Sequence, residues 1–245
     1  MSPRIVLATA ERILRQLRRD RRSIAMILVV PPVLMALMKY VFDGQGGAFQ
    51  RVGPPLLGLF PLTIMFLVTS IAMLRERTTG TLERLMSMPI AKLDLLLGYG
   101  LAFAILAAIQ ATVTSVVGFQ LLGLEAQHPA WVIVLLAVGN AILGMSLGLF
   151  VSAFARSEFQ AVQFMPAVIM PQFLLAGLMA PRSQMARPLE IVSDFLPLTY
   201  AYQALATAAT HPTLDREFWR DASIVVLTTL VALVLAATTL RRRTD

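Results

Sequence analysis

The stretch RERTTGTLERLMSMPI, residues 75–90, lies between two apolar segments that are each long enough to cross a bilayer. Gly80 and the threonines before it are expected to end the preceding helix. Thr81 and Glu83 suit the start of a new helix, because the hydroxyl can cap it and the carboxylate complements its dipole. Pro89 then stops that helix. The sequence therefore predicts a short helix that separates two membrane segments.

This short helix has one apolar face, formed by Leu82, Leu85 and Met86. At roughly 1.5 Å per residue, residues 81–88 would be about 12 Å long. A short helix of that length could bind in a surface groove on another protein. A helix that rests on the lipid surface would show the same pattern, so the pattern alone leaves both interpretations open.

The composition of the chain is that of a membrane protein. Of its 245 residues, 57% are hydrophobic and only 14% are charged, and the mean hydropathy is +0.73. These values lie outside the range of ordinary soluble domains. The chain has no cysteine, which excludes disulfide bonds, thiolate metal sites and thiol catalysis.

Intervals without charged residues define the expected membrane spans, because a charge at the bilayer centre costs about 2.5–3.5 kcal/mol or more. Seven such intervals occur in the sequence. The core of the sixth, residues 195–209, is short and is bracketed by Pro197 and Pro212, so we expect short outer or re-entrant helices over residues 183–209. The six remaining intervals give the predicted spans 23–42, 53–74, 95–123, 130–155, 159–180 and 222–240.

Residues 1–22 predict a helix that lies flat in the headgroup region. Apolar side chains such as Ile13 and Leu17 recur at helical spacing on one side, and Arg12 and Arg15 lie on the other. A secretory signal peptide fits less well, because the basic region is too long. We therefore expect an all-α polytopic membrane protein that forms a single membrane domain over residues 1–245.

The basic residues predict the orientation of these spans. Most of the 21 Lys and Arg residues fall on the side that carries both termini and residues 75–90, which the positive-inside rule makes cytoplasmic. The formal net charge of +7 then reflects topology and anionic lipid, and not nucleic acid.

One span carries a stripe of small residues. Asn140, Gly144, Gly148 and Ser152 recur about one helical turn apart in the fourth span, which allows another helix to approach closely. Packing within the chain is favoured over a dimer seam. Prolines are expected to bend three of the spans, at Pro31, Pro32, Pro61, Pro166 and Pro171.

The predicted spans hold no ionisable side chain deep in the membrane, whereas proton- or sodium-driven carriers generally keep such groups there. The sequence also has no Gly-rich loop that ends in Lys followed by Ser or Thr, the pattern that binds ATP phosphates. Its Asp, Glu and His residues do not show the spacing of a metal site or of a catalytic pair. We therefore expect a protein that is not an enzyme and that takes its energy from another polypeptide.

Residues 75–90 resemble the cytoplasmic coupling loop of type-2 ABC exporter permeases. The recurring form of that loop is a Glu, a Gly-Thr-Leu-Glu core, a Leu and then a Pro. The residues that match it are Glu76, Gly80, Thr81, Leu82, Glu83, Leu85 and Pro89, and Arg84 and Met86 belong to the same predicted coupling helix.

A second match lies in residues 176–205, which resemble the outer signature of the same family, a Gly, a Pro, a Met and a Pro-Leu-Thr-Tyr-Ala run. Leu196 stands where many members have Asn. The residues that carry the match are Arg187, Pro188, Leu189, Ile191, Pro197, Leu198, Thr199, Tyr200 and Ala201.

The resemblance implies a permease half in a bacterial plasma (inner) membrane that dimerises, as a homodimer, and sits on two copies of a cytoplasmic ABC ATPase. That partner would bind ATP and Mg²⁺, so no cofactor is expected in this chain. The first, second and fifth spans would line the dimer interface, where alternating access would take place.

The family exports drugs, antibiotics, lipids, polysaccharides or lipid-linked glycans. Small outer loops favour a hydrophobic or amphipathic substrate, a drug, an antibiotic or a lipid-like natural product, and hence a role in multidrug efflux and antibiotic resistance. Export of a polysaccharide or lipid-linked glycan is the alternative, and a secondary drug carrier is a more distant one. The residues expected along the substrate path are Met35, Phe66, Gln163, Phe164, Gln172 and Phe173.

Overall fold

Residues 2–45, 47–81, 84 and 92–239 are described by the computed structural model, and all regular secondary structure among them is helical. In chain order the helices are α1 (Pro3–Arg19), α2 (Arg21–Val41), α3 (Ala48–Thr78), α4 (Lys92–Val116), α5 (Ala130–Ser152), α6 (Glu158–Leu175), α7 (Arg187–Asp194), α8 (Pro197–Thr210) and α9 (Arg216–Thr239). A π-helical turn, Val117–Leu121, extends α4, and a 3-10 turn, Arg182–Gln184, precedes α7.

Five of the described helices are long and apolar enough to cross a membrane: α2, α3, α4 with its π-helical turn, α5 and α9. They coincide with the first four predicted spans and the last one. The all-helical, multi-pass class predicted from the sequence is therefore confirmed.

The predicted fifth span, residues 159–180, corresponds to α6, which is not among these five helices. Its 18 residues would extend about 27 Å at 1.5 Å per residue. They include three glutamines, and Pro166 and Pro171 lie inside the helix. The count of six spans thus stays a prediction.

Two short helices occupy most of the predicted outer segment, residues 183–209. Helix α7 has 8 residues and α8 has 14. At about 21 Å, α8 is shorter than the roughly 30 Å hydrocarbon core. It packs against α3, α5 and α9, so it adds to the protein core without the length of a span.

Helix α3 is the central helix of the fold, and it packs most extensively against α5. A Cβ atom added to Gly144 or Gly148 would collide with the backbone carbonyl groups of Leu62 and Phe66. Only glycine lets the two helices approach this closely. Since Asn140 also donates a hydrogen bond to the Ala201 carbonyl oxygen within the same chain, at 3.3 Å, the predicted packing of this stripe within the chain is confirmed.

Gly144→Ala is expected to destabilise the protein, because the new methyl group must push α3 and α5 apart. Overpacking of this kind typically costs about 1–3 kcal/mol, and the check is the melting temperature in detergent. Gly139→Ala is the matched control on the same helix, since its Cβ would meet nothing within 4 Å. Equal melting temperatures for the two variants would contradict the close approach of α3 and α5.

Candidate functional site

Helix α3 does not end where the charged stretch 75–90 begins, but continues to Thr78. Its last turns therefore carry Arg75, Glu76 and Arg77 on the same rigid element as the apolar residues that precede them. Gly80 then adopts a left-handed conformation, with φ of 72°, which ends the helix as glycine commonly does at this position.

A helical turn begins again directly after Gly80. Thr81 and Arg84 are both helical, and the Arg84 backbone N–H donates a hydrogen bond to the Gly80 carbonyl oxygen at 3.1 Å. This is the spacing of an α-helix. The other predicted coupling-helix residues, Leu82, Glu83, Leu85, Met86 and Pro89, lie outside the described residues.

Glu76 is buried near the end of α3, with 6% of its surface exposed. It accepts a hydrogen bond from the Tyr99 hydroxyl at 2.8 Å and one from the Arg12 guanidinium at 3.4 Å. Arg12 also donates to the Tyr99 hydroxyl oxygen at 2.6 Å and lies over the Tyr99 ring, 5.7 Å from its centroid. A buried carboxylate needs such partners to offset its lost hydration.

Arg12, Glu76 and Tyr99 therefore form one group, the Glu76 cluster, which joins three helices. Arg12 comes from α1, Glu76 from α3 and Tyr99 from α4. Tyr99 is itself only 1% exposed, so the packed helices enclose the side chain that contacts both Glu76 and Arg12. Because α3 includes residues 75–78 and α4 begins at Lys92, the cluster links the described helices on both sides of residues 79–91 to α1.

A second set of ion pairs surrounds Arg75. Its guanidinium donates two hydrogen bonds to the Glu158 carboxylate, at 2.7 Å and 3.0 Å, and lies 3.8 Å from the Asp20 carboxylate. Glu158 begins α6, and Asp20 occupies the bend between α1 and α2. Two-point pairing fixes the guanidinium in direction as well as distance, so α3 is held in place relative to α6.

Asp20 is placed by its own local contacts. Its carboxylate accepts hydrogen bonds from the Ser23 backbone N–H at 3.2 Å and from the Ser23 hydroxyl at 2.8 Å. These bonds cap the start of α2, and they hold the pKa of Asp20 below its usual value. On the far side of α3, Arg77 donates to the Ser152 carbonyl oxygen at 2.6 Å, which ties α3 to the end of α5.

Sequence reasoning found Glu76 but missed its partners Arg12 and Tyr99, as well as the Arg75–Glu158 pair. The helical pattern of residues 1–22 put Arg12 on the side opposite the apolar residues, in the headgroup region. The available signal was Glu76 itself, since a carboxylate at the end of a long apolar helix requires a cation or hydroxyl nearby.

The residues predicted along a substrate path are spread over α2, α3 and α6. Met35 and Phe66 are fully buried, and the partly buried Phe173 packs against the same core. Phe164 packs in a separate small cluster, and Gln163 is exposed.

Gln172, the sixth of these residues, is buried and already has partners. Its amide nitrogen donates to the Val168 carbonyl oxygen at 2.9 Å, and its amide oxygen accepts from the Leu198 N–H at 3.4 Å. The single chain thus does not bring the six residues together, and their role stays a prediction.

The outer-signature residues build the corner between α7 and α8. The Thr199 hydroxyl donates to the Ser193 carbonyl oxygen at 2.8 Å, and the Tyr200 hydroxyl donates to the Asp194 carbonyl oxygen at 2.6 Å. Pro188 and Pro197 occupy the first turns of α7 and α8, where a missing N–H costs nothing. Arg187 pairs with Glu190 at 2.8 Å.

Arg182 is a further residue at this corner, one that sequence reasoning did not single out. Its guanidinium donates to the Ser193 hydroxyl at 2.8 Å and pairs with Asp194. The side chains of the signature thus act locally, by holding two short helices at a fixed angle.

Known proteins share this sequence pattern. Residues 5–209 match the family described as "ABC-2 type transporter". "ABC transporter G family member 20" of Dictyostelium discoideum is 27% identical over 175 residues, which are 69% of this chain and 23% of that protein. "Probable multidrug ABC transporter permease YbhR" of Escherichia coli strain K12 is 30% identical over 138 residues, 55% of this chain and 36% of that protein.

"Probable multidrug ABC transporter permease YbhS" of the same strain is 22% identical over 175 residues, 71% of this chain and 46% of that protein. The chain thus matches less than half the length of each of these relatives. The family match, by contrast, extends over most of the chain, from α1 to the end of α8. The chain therefore belongs to the ABC-2 type transporter family, as a membrane permease.

Proposed function

We propose that this chain is the membrane-spanning half of an ATP-driven exporter, and that the helix within residues 81–88 docks in a groove of a separate cytoplasmic ABC ATPase. The observation that carries the proposal is the Glu76 cluster. It joins α1, α3 and α4 at the base of residues 75–90, so a displacement of that stretch would move three helices together. ATP and Mg²⁺ would bind to the partner, and this chain would perform no chemistry.

The proposed topology has six spans, with α6 as the fifth, and both termini in the cytoplasm of a bacterial cell. Trp131 and Trp219 support it. They lie in the first turns of α5 and α9 and are 67% and 60% exposed. Exposed tryptophans are typical of the membrane–water interface, and six alternating spans put both of these on the outer side.

The proposed dimer interface is formed by α2, α3 and α6. Helices α2 and α6 both pack against α3, and each keeps large apolar side chains exposed in the single chain. A second copy of the chain would bury them and would enclose the substrate path between the two halves. The exposed residues are Val29, Val33 and Leu37 on α2, and Val162, Met170 and Leu174 on α6.

A hydrophobic or amphipathic substrate fits these apolar faces best, and two of the relatives described above are named as multidrug permeases. Conformational change at the dimer interface would expose the path to each side of the membrane in turn, driven by ATP binding and hydrolysis in the partner. Export of a polysaccharide or a lipid-linked glycan is the second candidate, because other members of the resembled family carry such substrates.

The test is uptake of a lipophilic dye by inside-out vesicles that contain this chain with or without the ATPase that co-purifies with it. We expect uptake only with both proteins and hydrolysable ATP, and we expect it to persist with an uncoupler. Uptake by the chain alone that collapses with an uncoupler would instead make it a secondary carrier. Flux that is insensitive to ATP hydrolysis would make it a channel.

A further inference from the structure

An open cleft of about 290 Å³ lies where α1, α2, α3 and α4 meet, directly beside the Glu76 cluster. Its walls are mostly apolar and are formed by residues such as Leu17, Met26, Val68, Ile71 and Phe103. A cavity of this size and lining is close to the lower range of ligand-binding pockets in proteins. It is large enough for part of an apolar chain.

The polar part of the cleft lining includes two carboxylates, Asp20 and Glu76, which already have partners. Asp20 accepts two hydrogen bonds from Ser23 and lies near Arg75. Glu76 is held by Tyr99 and Arg12. An arginine therefore already lies beside each carboxylate.

The basic groups at the same bend are free. Arg18, Arg19, Arg21 and Arg22 are exposed, and none of their guanidinium groups forms a hydrogen bond or ion pair with the residues that the structure describes. Arg22 lines the cleft itself. Four unpaired guanidinium groups at one bend create a positive potential that favours an anionic ligand.

Helix α2, which begins at this bend, is long and apolar enough to cross a membrane, and a bend at the end of such a helix lies near the lipid headgroups. Met26, just over one turn into α2 and part of the cleft lining, is 45% exposed. A ligand that reaches this cleft thus meets an apolar wall and a basic rim, the two features that bind a phospholipid. We propose that the cleft binds one anionic phospholipid, with an acyl chain against the apolar wall and the phosphate at Arg22.

The bound lipid belongs to the cytoplasmic leaflet, an assignment that rests on the proposed topology, whereas the binding itself does not. Its acyl chain lies against Leu17, Ile71 and Phe103, and Ile71 is one helical turn before Arg75 on α3. The lipid therefore supports the ion pairs at the base of residues 75–90, and the stability of the chain depends on lipid class.

The binding test uses the purified full chain without any ATPase, so that its failure leaves the proposed export function intact. Native mass spectrometry in neutral detergent compares phosphatidylglycerol with phosphatidylcholine of the same acyl chains. We expect one phosphatidylglycerol to be retained in preference to phosphatidylcholine, and its addition to raise the melting temperature. Equal retention of the two lipids would overturn the proposal.

Two pairs of variants locate the lipid. Arg22→Gln is expected to weaken phosphatidylglycerol retention roughly fivefold, and Arg4→Gln, which removes an exposed arginine of α1 away from the cleft, is expected to leave it unchanged. Met26→Trp is expected to fill the cleft and reduce retention. Leu7→Trp, at an exposed apolar residue of α1 outside the cleft lining, is expected to leave retention unchanged. If the two variants of either pair lost phosphatidylglycerol retention equally, the lipid would not be bound specifically in the cleft, and the proposed site would be wrong.

Competition distinguishes the lipid from its headgroup alone. Soluble glycerophosphate at the concentration of the lipid is expected to leave phosphatidylglycerol bound, because it has no acyl chain for the apolar wall. Displacement by glycerophosphate would overturn the lipid assignment and leave an anion site in its place.

Discussion

Replacing both Leu82 and Leu85 with aspartate is expected to abolish co-purification of the ATPase while the chain still inserts in the membrane. The two leucines lie on the apolar face of the predicted coupling helix. An apolar anchor in the centre of an interface typically contributes about 2 kcal/mol or more. Loss of two anchors, each replaced by a charge, therefore corresponds to roughly 1,000-fold weaker binding.

The control is Leu189→Asp on α7, the same chemical change at an exposed leucine that the proposed topology puts on the outer side. It should leave the ATPase bound. Unchanged co-purification by the Leu82 and Leu85 variant would contradict docking in a groove. If the variant instead kept the ATPase bound but residues 75–90 bound lipid vesicles more weakly, the helix would rest on the lipid surface.

The positions of the long helices were predictable from the sequence because the cost of placing a charge in a bilayer is a local property. Each charge-free interval assigned as a span became a helix, with ends that moved by several residues. The end of α3 is an example: the apolar interval stops at Leu74, but the helix continues to Thr78. Ion pairs and hydrogen bonds made by Arg75, Glu76 and Arg77 stabilise these extra residues.

The direction of individual side chains was not predictable in the same way. Helical periodicity put Arg12 on the side of α1 opposite its apolar residues, yet the Arg12 guanidinium contacts Glu76 and Tyr99. That contact exists only because α1 packs against α4, and residues 12 and 99 are too far apart in sequence for any local pattern to relate them. For the same reason hydropathy could not tell whether Phe66 faces a path or the core of the chain.

Glu76→Gln is expected to reduce ATP-driven transport by more than tenfold while the ATPase still binds. The amide keeps the size of the side chain but removes the charge that attracts Arg12. The Glu76 cluster then no longer holds α1, α3 and α4 together. A movement of residues 75–90 is therefore transmitted less efficiently to the membrane helices. Breaking a buried ion pair by removing one partner also costs stability, about 3–5 kcal/mol in the most enclosed cases.

Stability and coupling must be separated in this experiment. Glu11→Gln is the matched control, because Glu11 also pairs with an arginine of α1, Arg15, but both side chains are exposed. Exposed pairs contribute about 0–1 kcal/mol, so transport and melting temperature should barely change. Transport rates are compared at a temperature well below the melting temperature of every variant.

A double-mutant cycle with Tyr99→Phe tests whether the cluster acts as one unit. Among the described contacts, removing the Tyr99 hydroxyl leaves Glu76 with its longer contact to Arg12. The effects of the two substitutions on transport should then be strongly non-additive, with a coupling energy of about 0.5–3 kcal/mol. Additive effects would mean that Glu76 and Tyr99 act independently, and full transport by Glu76→Gln with a lowered melting temperature would restrict the cluster to a structural role.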